Sequence, residues 1–529
     1  MTVSRRLSRY AIAVAITATI AGSSTARAQR TAYEELQTFS GVLNHVRINY
    51  VDSVGSSRMI RAAIAGILSD LDPHSHFLSR ESNDALLGLQ RGDLGSPGIF
   101  LEEVGGELVV RTLVRGGPAD RGGVFPGDRV VAIDSVPVAG LGSQEAEAHL
   151  AGKKGSKVRL QIERGPRFGL QTIDVTLKRE ERSPRSTSVM RRIGTEAVYV
   201  RLDQFGDRAA KELKRALKDG TKNGPNRVIL DLRGNPGGLV REAVSMAAEF
   251  LPKGSPVFST RGRKRDVDVD YVSDRNGSFR NIQLAILIDE GSASAAEALA
   301  GALQDLDRAV IIGRRSFGKA LMQSPFLLPG GDIVWLTIGR VYTPAGRLIQ
   351  RSYSDVNAAQ YRALAGSENA PDDTLPTLST KNGRAVRGGG GIVPDIVTPR
   401  PPDPPLWWSE AVADGLVAEV ADSVSAYLSG GAMSEEEWVI ATGAWREMVE
   451  PLLARVRDAF GAEIATTEPA LSWLSRELGR RVAAARWGLE AQDHFEVATD
   501  PDIKAAIESS STWPQILRPP AASPAVPAE

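Results

Sequence analysis

Apolar positions along the chain change their period several times, and each change marks a candidate region. Between about Thr31 and Gln90 they recur at helical spacing, as in "SSRMIRAAIAGILSDL", until Asp72 and Pro73 end the pattern. From Gly92 to about Arg179 short alternating runs such as "GELVVRTLV" and "KVRLQIER" are separated by Gly and Pro, which predicts a small β-rich module. From "AVYVRLDQF" through "RVILDLRG", "LAILIDE" and "RAVIIG", strand-length apolar runs alternate with helical ones, the order of a parallel sheet covered by helices. Ser352 to Gly390 is polar and Gly-rich and reads as a surface insertion, while "PRPPDPP", Pro399 to Pro405, reads as a stiff linker. Helical spacing then resumes, for example at Trp438, Ile440 and Trp445, before a disordered end, "PPAASPAVPAE".

The expected fold class is multidomain α+β. It comprises a helical region over 31–91, a β-rich module over 92–180, an α/β core with a mainly parallel sheet over 181–400, a helical region over 406–515 and a tail over 516–529. A chain of 529 residues is long enough for several such units. Lys plus Arg and Asp plus Glu are both 64, so the balance does not point to nucleic acid or an acidic membrane surface as partner. Residues 1–28 have a basic start, an apolar run from about Ala11 to Ala21 and the small-residue exit Ala26, Arg27, Ala28, the layout of a secretory signal peptide. Export to the periplasm or beyond is expected, with a retained anchor as the alternative. No later segment has the 18 uninterrupted apolar residues of a membrane span. With no cysteine, the chain has no disulfide, thiolate metal site or Cys nucleophile.

The stretch "GRRSFGKA", Gly313 to Ala320, resembles a phosphate-binding loop but places Ala320 where the magnesium hydroxyl belongs. Lys319 has a better partner. Leu284 to Gly313 reads as strand, helix, strand, with Ser294 at the helix start. A right-handed crossover returns the loop carrying Lys319 to the same sheet edge, where ligands of open α/β sheets bind. A third exit, "VILDLRGNPGG", brings Gly237 and Gly238, whose backbone amides can approach a ligand closely. A hydroxyl, an amine and bare amides are what acyl transfer requires. To act as base, Lys319 must move from a pKa of about 10.4 to near 7, about 4 to 5 kcal/mol of preference for the neutral amine. Phe317, Leu321 and Met322 offer apolar surroundings, and Gln323 holds the amine without a counter-charge.

"GSASAAEALAGALQDLDRAVIIGRRSFGKALMQ" is similar to the core signature of the carboxy-terminal processing peptidases, or tail-specific proteases. "YVDS", "LDPHSHFL", "LDLRGNPGG", "VYTPAGRLIQ" and "GGGIVPDI" match further, in family order. The resemblance implies a crotonase-like α/β core, Ser294 as nucleophile, Lys319 as base, Gln323 as its support, and the amides of Gly237 and Ala295 as oxyanion donors, with Gly238 a less favoured choice. Ala296, Ser316 and Ala320 depart from frequent family residues without removing a reacting group. No metal or nucleotide is implied.

Other readings stay on the page. Ser292 is the second choice for the nucleophile, and Glu297 reads as a helix cap. His74 and His76 read as solvated or packing residues rather than a metal pair. The chain has five histidines, none of them in the parallel-sheet region, which argues against a Ser-His-Asp triad. Arg233 reads as a structural residue fixing its loop.

"GSPGIFLEE" and "GGPADRGGVFPGDRVVAID" look like a PDZ domain, with Gly98, Ile99 and Phe100 as its carboxylate loop by analogy, Phe100 standing where a second Gly is frequent. Such a domain captures a chain terminus as an added strand. The implied function is an exported serine endopeptidase acting on proteins with free C-terminal tails, with an adaptor protein or a homo-oligomer as further implied partners. The rival is a scaffold whose inactive core only holds unfolded tails, and a second rival is a hydrolase of small esters or amides.

Overall fold

The computed structural model describes residues 31–518 apart from 92, 105–106, 115–116, 125–127, 165–170, 182–185, 223, 355–360, 362–376, 403–404, 406, 409–410, 412–415, 430–432, 441–443 and 461–466. The expected signal peptide and all of the expected tail beyond 518 lie outside them, as do most of the polar insertion and part of the Pro-rich linker. Among the described residues no helix is long and apolar enough to cross a membrane.

The described residues up to Ile67 form a unit of their own. Its first helix, α1 (Ala32–Asn49), opens on a capping box in which Thr31 Oγ1 accepts from Glu34 N–H and Glu34 accepts from Thr31 N–H. The second, α2 (Ser56–Leu71), runs to the start of the main unit. There strand β1 (His76–Leu78) and helix α3 (Arg80–Arg91) follow.

The β-rich module is built from β2 (Ile99–Val104), β3 (Glu107–Leu113), β4 (Arg129–Ile133), β5 (Val136–Pro137), helix α4 (Ser143–Leu150), β6 (Lys157–Arg164) and β7 (Gln171–Lys178). Its antiparallel sheet runs β2-β3-β4-β6-β7 with β5 on β4, so β2 is an edge strand. Alternate residues such as Val158, Leu160 and Ile162 point into a core closed by Ala146 and Leu150 of α4.

The core sheet contains β8 (Thr187–Ile193), β9 (Ala197–Leu202), β10 (Arg227–Asp231), β13 (Gln283–Ile288), β14 (Val310–Gly313) and β17 (Ile396–Val397), in the order β8-β9-β10-β13-β14-β17. Pairing is parallel throughout except at the β8 edge. Its strands are apolar on both faces, which the two-residue period makes explicit. Leu284, Ile286 and Ile288 face helices α5 (Ala209–Gly220), α6 (Val240–Phe250) and α7 (Ala295–Asp305). Ala285 and Leu287 face the opposite side.

That opposite side is covered by the end of the chain. After α8 (Leu416–Ser429), α9 (Glu435–Ile440), α10 (Ala444–Phe460) and α11 (Glu468–Trp487), which share a core with part of α12 (Leu489–Thr499), the chain returns to the sheet. Val497 at the end of α12, Ile503 and Ala506 of α13 (Pro501–Glu508) and Trp513 of α14 (Trp513–Leu517) pack on Tyr199, Ile229, Leu287 and Ile312. Part of the helical region that follows Pro405 is thus a layer on the core sheet.

A second sheet accompanies the first. It consists of β1, β11 (Pro256–Gly262), β12 (Val269–Val272), β15 (Leu321–Leu327) and β16 (Ile333–Tyr342), ordered β1-β16-β11-β12 with β15 also on β16, and every pairing is antiparallel. The alternation of strands and helices pointed to one parallel sheet; the structure divides these strands between a mostly parallel sheet and an antiparallel one.

Candidate active site

Three exits of the core sheet meet at one edge. After β13, residues Asp289–Ala293 form a tight turn into α7, and Ser294 stands at the helix start with φ 57 and ψ −112. A non-glycine residue at such a φ is strained and needs its surroundings to hold it. The surroundings do so through Asp289, whose Oδ1 accepts from Gly234 N–H at 2.8 Å and Gly291 N–H at 2.9 Å. Ser292 is fully buried, and its hydroxyl donates to Leu232 O at 2.8 Å. Its hydroxyl thus ties the turn to the β10 exit.

Glu297, one helical turn into α7, does more than cap. Its Oε2 accepts from Ser294 N–H at 2.8 Å and from Lys319 N–H at 2.8 Å, while Oε1 accepts from Ser316 Oγ and Gly318 N–H, both at 2.6 Å. One carboxylate therefore fixes the backbone of both Ser294 and Lys319. Burial raises its pKa to about 6, working against these hydrogen bonds, which hold it down. The donor at Ser316 is itself pinned, since its oxygen accepts from Ile392 N–H at 2.6 Å.

The loop after β14 delivers Lys319 to the pocket that Ser294 also lines, with Val240, Phe258, Leu321, Met322 and Val341 as apolar walls. Lys319 Nζ donates to Gln323 Oε1 over a long 3.4 Å. Gln323 Nε2 in turn donates to the carbonyl of His74 at 2.6 Å. That carbonyl also accepts from His76 Nδ1 at 2.8 Å, and the turn carrying it is held by Asp72, whose Oδ1 accepts from the N–H groups of His74 and Ser75. Burial pushes the His76 imidazole below its ordinary pKa, and Lys319 in its protonated form acts in the same direction. His74 and His76 thus pack, His76 stacked on Trp335 and His74 edge-on to Tyr361. No group of three or more metal-ligating side chains occurs among the described residues.

Gly237 lies against the Ser294 turn. Its φ is +96, and a Cβ there would stand 2.7 Å from Ala293 O and 2.9 Å from both Ala295 N and Ser294 Cβ. Its own N–H donates to Asn235 Oδ1 at 2.8 Å. The amides of Gly238 and Ala295 have no hydrogen-bond acceptor among the described residues.

In the β-rich module Gly98 has φ +80 and donates its N–H to Ser96 Oγ at 2.9 Å. Ile99 and Phe100 begin the edge strand β2, with a register shift between Phe100 and Leu101. Leu101 N–H donates to Glu147 Oε1 of α4 at 2.8 Å, so that strand position already has an acceptor. Arg233, as expected, is a structural anchor, paired with Asp231 and with Asp500 and Asp502 far along the chain.

The carbonyl of His74, the fourfold acceptor Glu297 and the distant Asp500 and Asp502 were not read as site residues from the sequence. The "LDPHSHFL" match was a signal for the first, and the three-residue spacing from Ser294 was one for the second.

An α/β core with a pocketed serine at a helix start, joined to a PDZ-like module, defines the class: a serine protease with a peptide-binding domain. The chain belongs to peptidase family S41, the carboxy-terminal processing proteases. The family model for S41 matches residues 196–357, and that for PDZ domains matches 109–164. The carboxy-terminal-processing protease of Bartonella bacilliformis is 34% identical over 337 residues, 63% of this chain and 76% of that protein. The carboxy-terminal processing protease CtpA of Bacillus subtilis is 28% identical over 344 residues, 64% of this chain and 72% of that protein. Among solved structures, the photosystem II D1 C-terminal processing protease aligns with a TM-score of 0.47 at 24% identity, covering 70% of this chain and 87% of that one.

Proposed function

We propose that the chain is an exported serine endopeptidase that captures protein C-terminal tails in its PDZ domain and cleaves peptide bonds with Ser294 and Lys319. The observation carrying this reading is that the two residues line one apolar pocket while one buried carboxylate fixes the backbone of both.

Neutral Lys319 takes the Ser294 hydroxyl proton as Oγ attacks the peptide carbonyl. The developing oxyanion takes the Ala295 and Gly238 amides as its donors in this reading, since Gly237 N–H already donates to Asn235 Oδ1. Protonated Lys319 then gives its proton to the leaving amine, the C–N bond breaks, and an acyl-enzyme remains. Water, deprotonated by the same amine, releases the acid and regenerates Ser294. Gln323 aims the amine through Oε1, which carries no formal charge, so it orients Lys319 while favouring the ammonium far less than a carboxylate there would. The apolar walls formed by Val240, Phe258, Leu321, Met322 and Val341 keep that form unfavourable and select an apolar side chain on the acyl side of the cut.

The tail enters by adding to the edge strand β2, where it must take Leu101 N–H from Glu147. The signal-like N-terminus supports action outside the cytoplasm. Incubation of wild-type protein with casein, followed by mass spectrometry, is expected to show products ending in apolar residues. Ser294→Ala and Lys319→Ala are each expected to abolish them. Cleavage surviving either substitution would end this assignment.

A further inference from the structure

Three loops carry the proposed chemistry, and each has a charged residue at its root. Arg233 precedes Gly238 on the β10 exit, Asp289 and Glu290 precede Ser294 on the β13 exit, and Arg314 precedes Lys319 on the β14 exit. The two arginines converge on the N-terminus of α13, and the β13 exit joins them through Arg314. Arg233 Nη1 lies 2.9 Å from Asp500 Oδ2 and 2.8 Å from Asp502 Oδ2. Arg314 Nη1 lies 3.1 Å from the same Asp502 Oδ2, and its Nε lies 3.3 Å from Glu290.

Resting on the peptidase reading above, we propose that Asp500 and Asp502 are positioning residues of the active site, tying the three catalytic loops together through Arg233 and Arg314.

Removing Asp502 would not leave either arginine without charge compensation, because Arg233 keeps Asp231 at 2.7 Å and Arg314 keeps Glu290. What disappears is the bridge from one loop to the next, formed by a single carboxylate oxygen. The side chains concerned are largely shielded from water, Arg233 at 13%, Arg314 at 12% and Asp502 at 4% exposure, so solvent does not readily replace the bridge. Asp500 adds rigidity in a second way. Its Oδ1 accepts from the N–H groups of Asp502 and Ile503, capping α13 and fixing the angle at which Asp502 is presented. The helix itself is held down by Ile503 and Ala506 on the sheet. Loop register at the reacting atoms matters because a misplacement of about 1 Å costs about 100-fold in rate.

The test uses the full chain with Asp502→Asn, Asp500→Asn and Arg314→Gln, singly, and with Asp502→Asn combined with Arg314→Gln. Asn retains helix-capping ability at position 500. Three quantities are measured: kcat and KM on a peptide with a free C-terminus and an apolar residue at the cut, the rate of Ser294 labelling by a fluorophosphonate, and the unfolding midpoint.

For Asp502→Asn, kcat and the labelling rate are expected to fall about 10- to 100-fold with KM within threefold of wild type. The double variant is expected to lose little more than the worse single one, since both break one bridge. Should Asp502→Asn fail to fold, Arg314→Gln and Asp500→Asn carry the same expectation. Rates within twofold of wild type in folded variants, or losses that multiply in the double, would overturn the proposal. Failure of the peptidase reading looks different: wild-type Ser294 would not be labelled, or Ser294→Ala would still cleave.

Discussion

Glu297→Gln isolates the contribution of the buried carboxylate beneath the site. The carboxylate accepts four donors, two on each oxygen. A glutamine turns one oxygen into an NH2 group, so two buried donors lose their acceptor at about 1–3 kcal/mol each, roughly 2–6 kcal/mol together. Against this stands the relief of no longer burying a charge. With the carboxyl raised from 4.5 to about 6, that relief is about 2 kcal/mol at neutral pH. The net cost of roughly 0–4 kcal/mol leaves a folded protein to assay.

The pH dependence follows from the same shift. Between pH 6 and 4.5 the folded state binds more protons at Glu297 than the unfolded state does, so this group's contribution to stability rises as pH falls through that window. Activity moves the other way, because a protonated oxygen cannot keep both of its donors. Wild type is expected to gain about 1.3 kcal/mol relative to Glu297→Gln in urea unfolding between pH 6 and 4.5. The variant is expected to lose about 100-fold in kcat at pH 7, as a shifted loop would. A kcat within threefold of wild type, or a stability difference that stays constant over that pH range, would refute the reasoning.

The other predictions address the base, the turn and the outer layer. Gln323→Glu sets a carboxylate where the uncharged oxygen now lies 3.4 Å from Lys319 Nζ, raising the amine's pKa by about 1–3 units. The pH profile of kcat/KM should move to higher pH by that amount, and an unmoved profile would contradict a lysine base. Gly237→Ala forces a Cβ at φ +96 to within 2.7 Å of Ala293 O, so fluorophosphonate labelling should fall at least tenfold while backbone strain destabilises the fold by about 1–2 kcal/mol. Normal labelling would show that the turn tolerates displacement. Trp513→Ala removes a side chain only 1% exposed on the sheet and should cost about 3–5 kcal/mol in urea unfolding. A cost below about 1 kcal/mol would mean that the last helices contribute little to the core.

The sequence made some of this legible because the relevant signals are local. Two-sided burial leaves an unbroken apolar run, so Leu284–Ile288 and Val310–Ile312 read as inner strands. The crossover from one to the other also places Ser294 and Lys319 at one edge. The antiparallel sheet was harder, because β11 and β16 pair across about 80 intervening residues, as Ser259 with Tyr342, and their faces mix polar and apolar side chains. Main-chain groups leave no mark on side-chain pattern. His74 contributes a carbonyl, and three of the four donors to Glu297 are backbone N–H groups. Asp500 lies 267 residues from Arg233, beyond the reach of any spacing rule.

The covering of one sheet face by residues around Val497 to Trp513 has a consequence for biosynthesis. Ser294 and Lys319 leave the ribosome long before the segment that shields the sheet behind them. At about 5–20 residues per second, a nascent chain spends on the order of ten seconds or more with that face bare. The sheet therefore cannot close its second face until the last-made helices are available, wherever the chain folds.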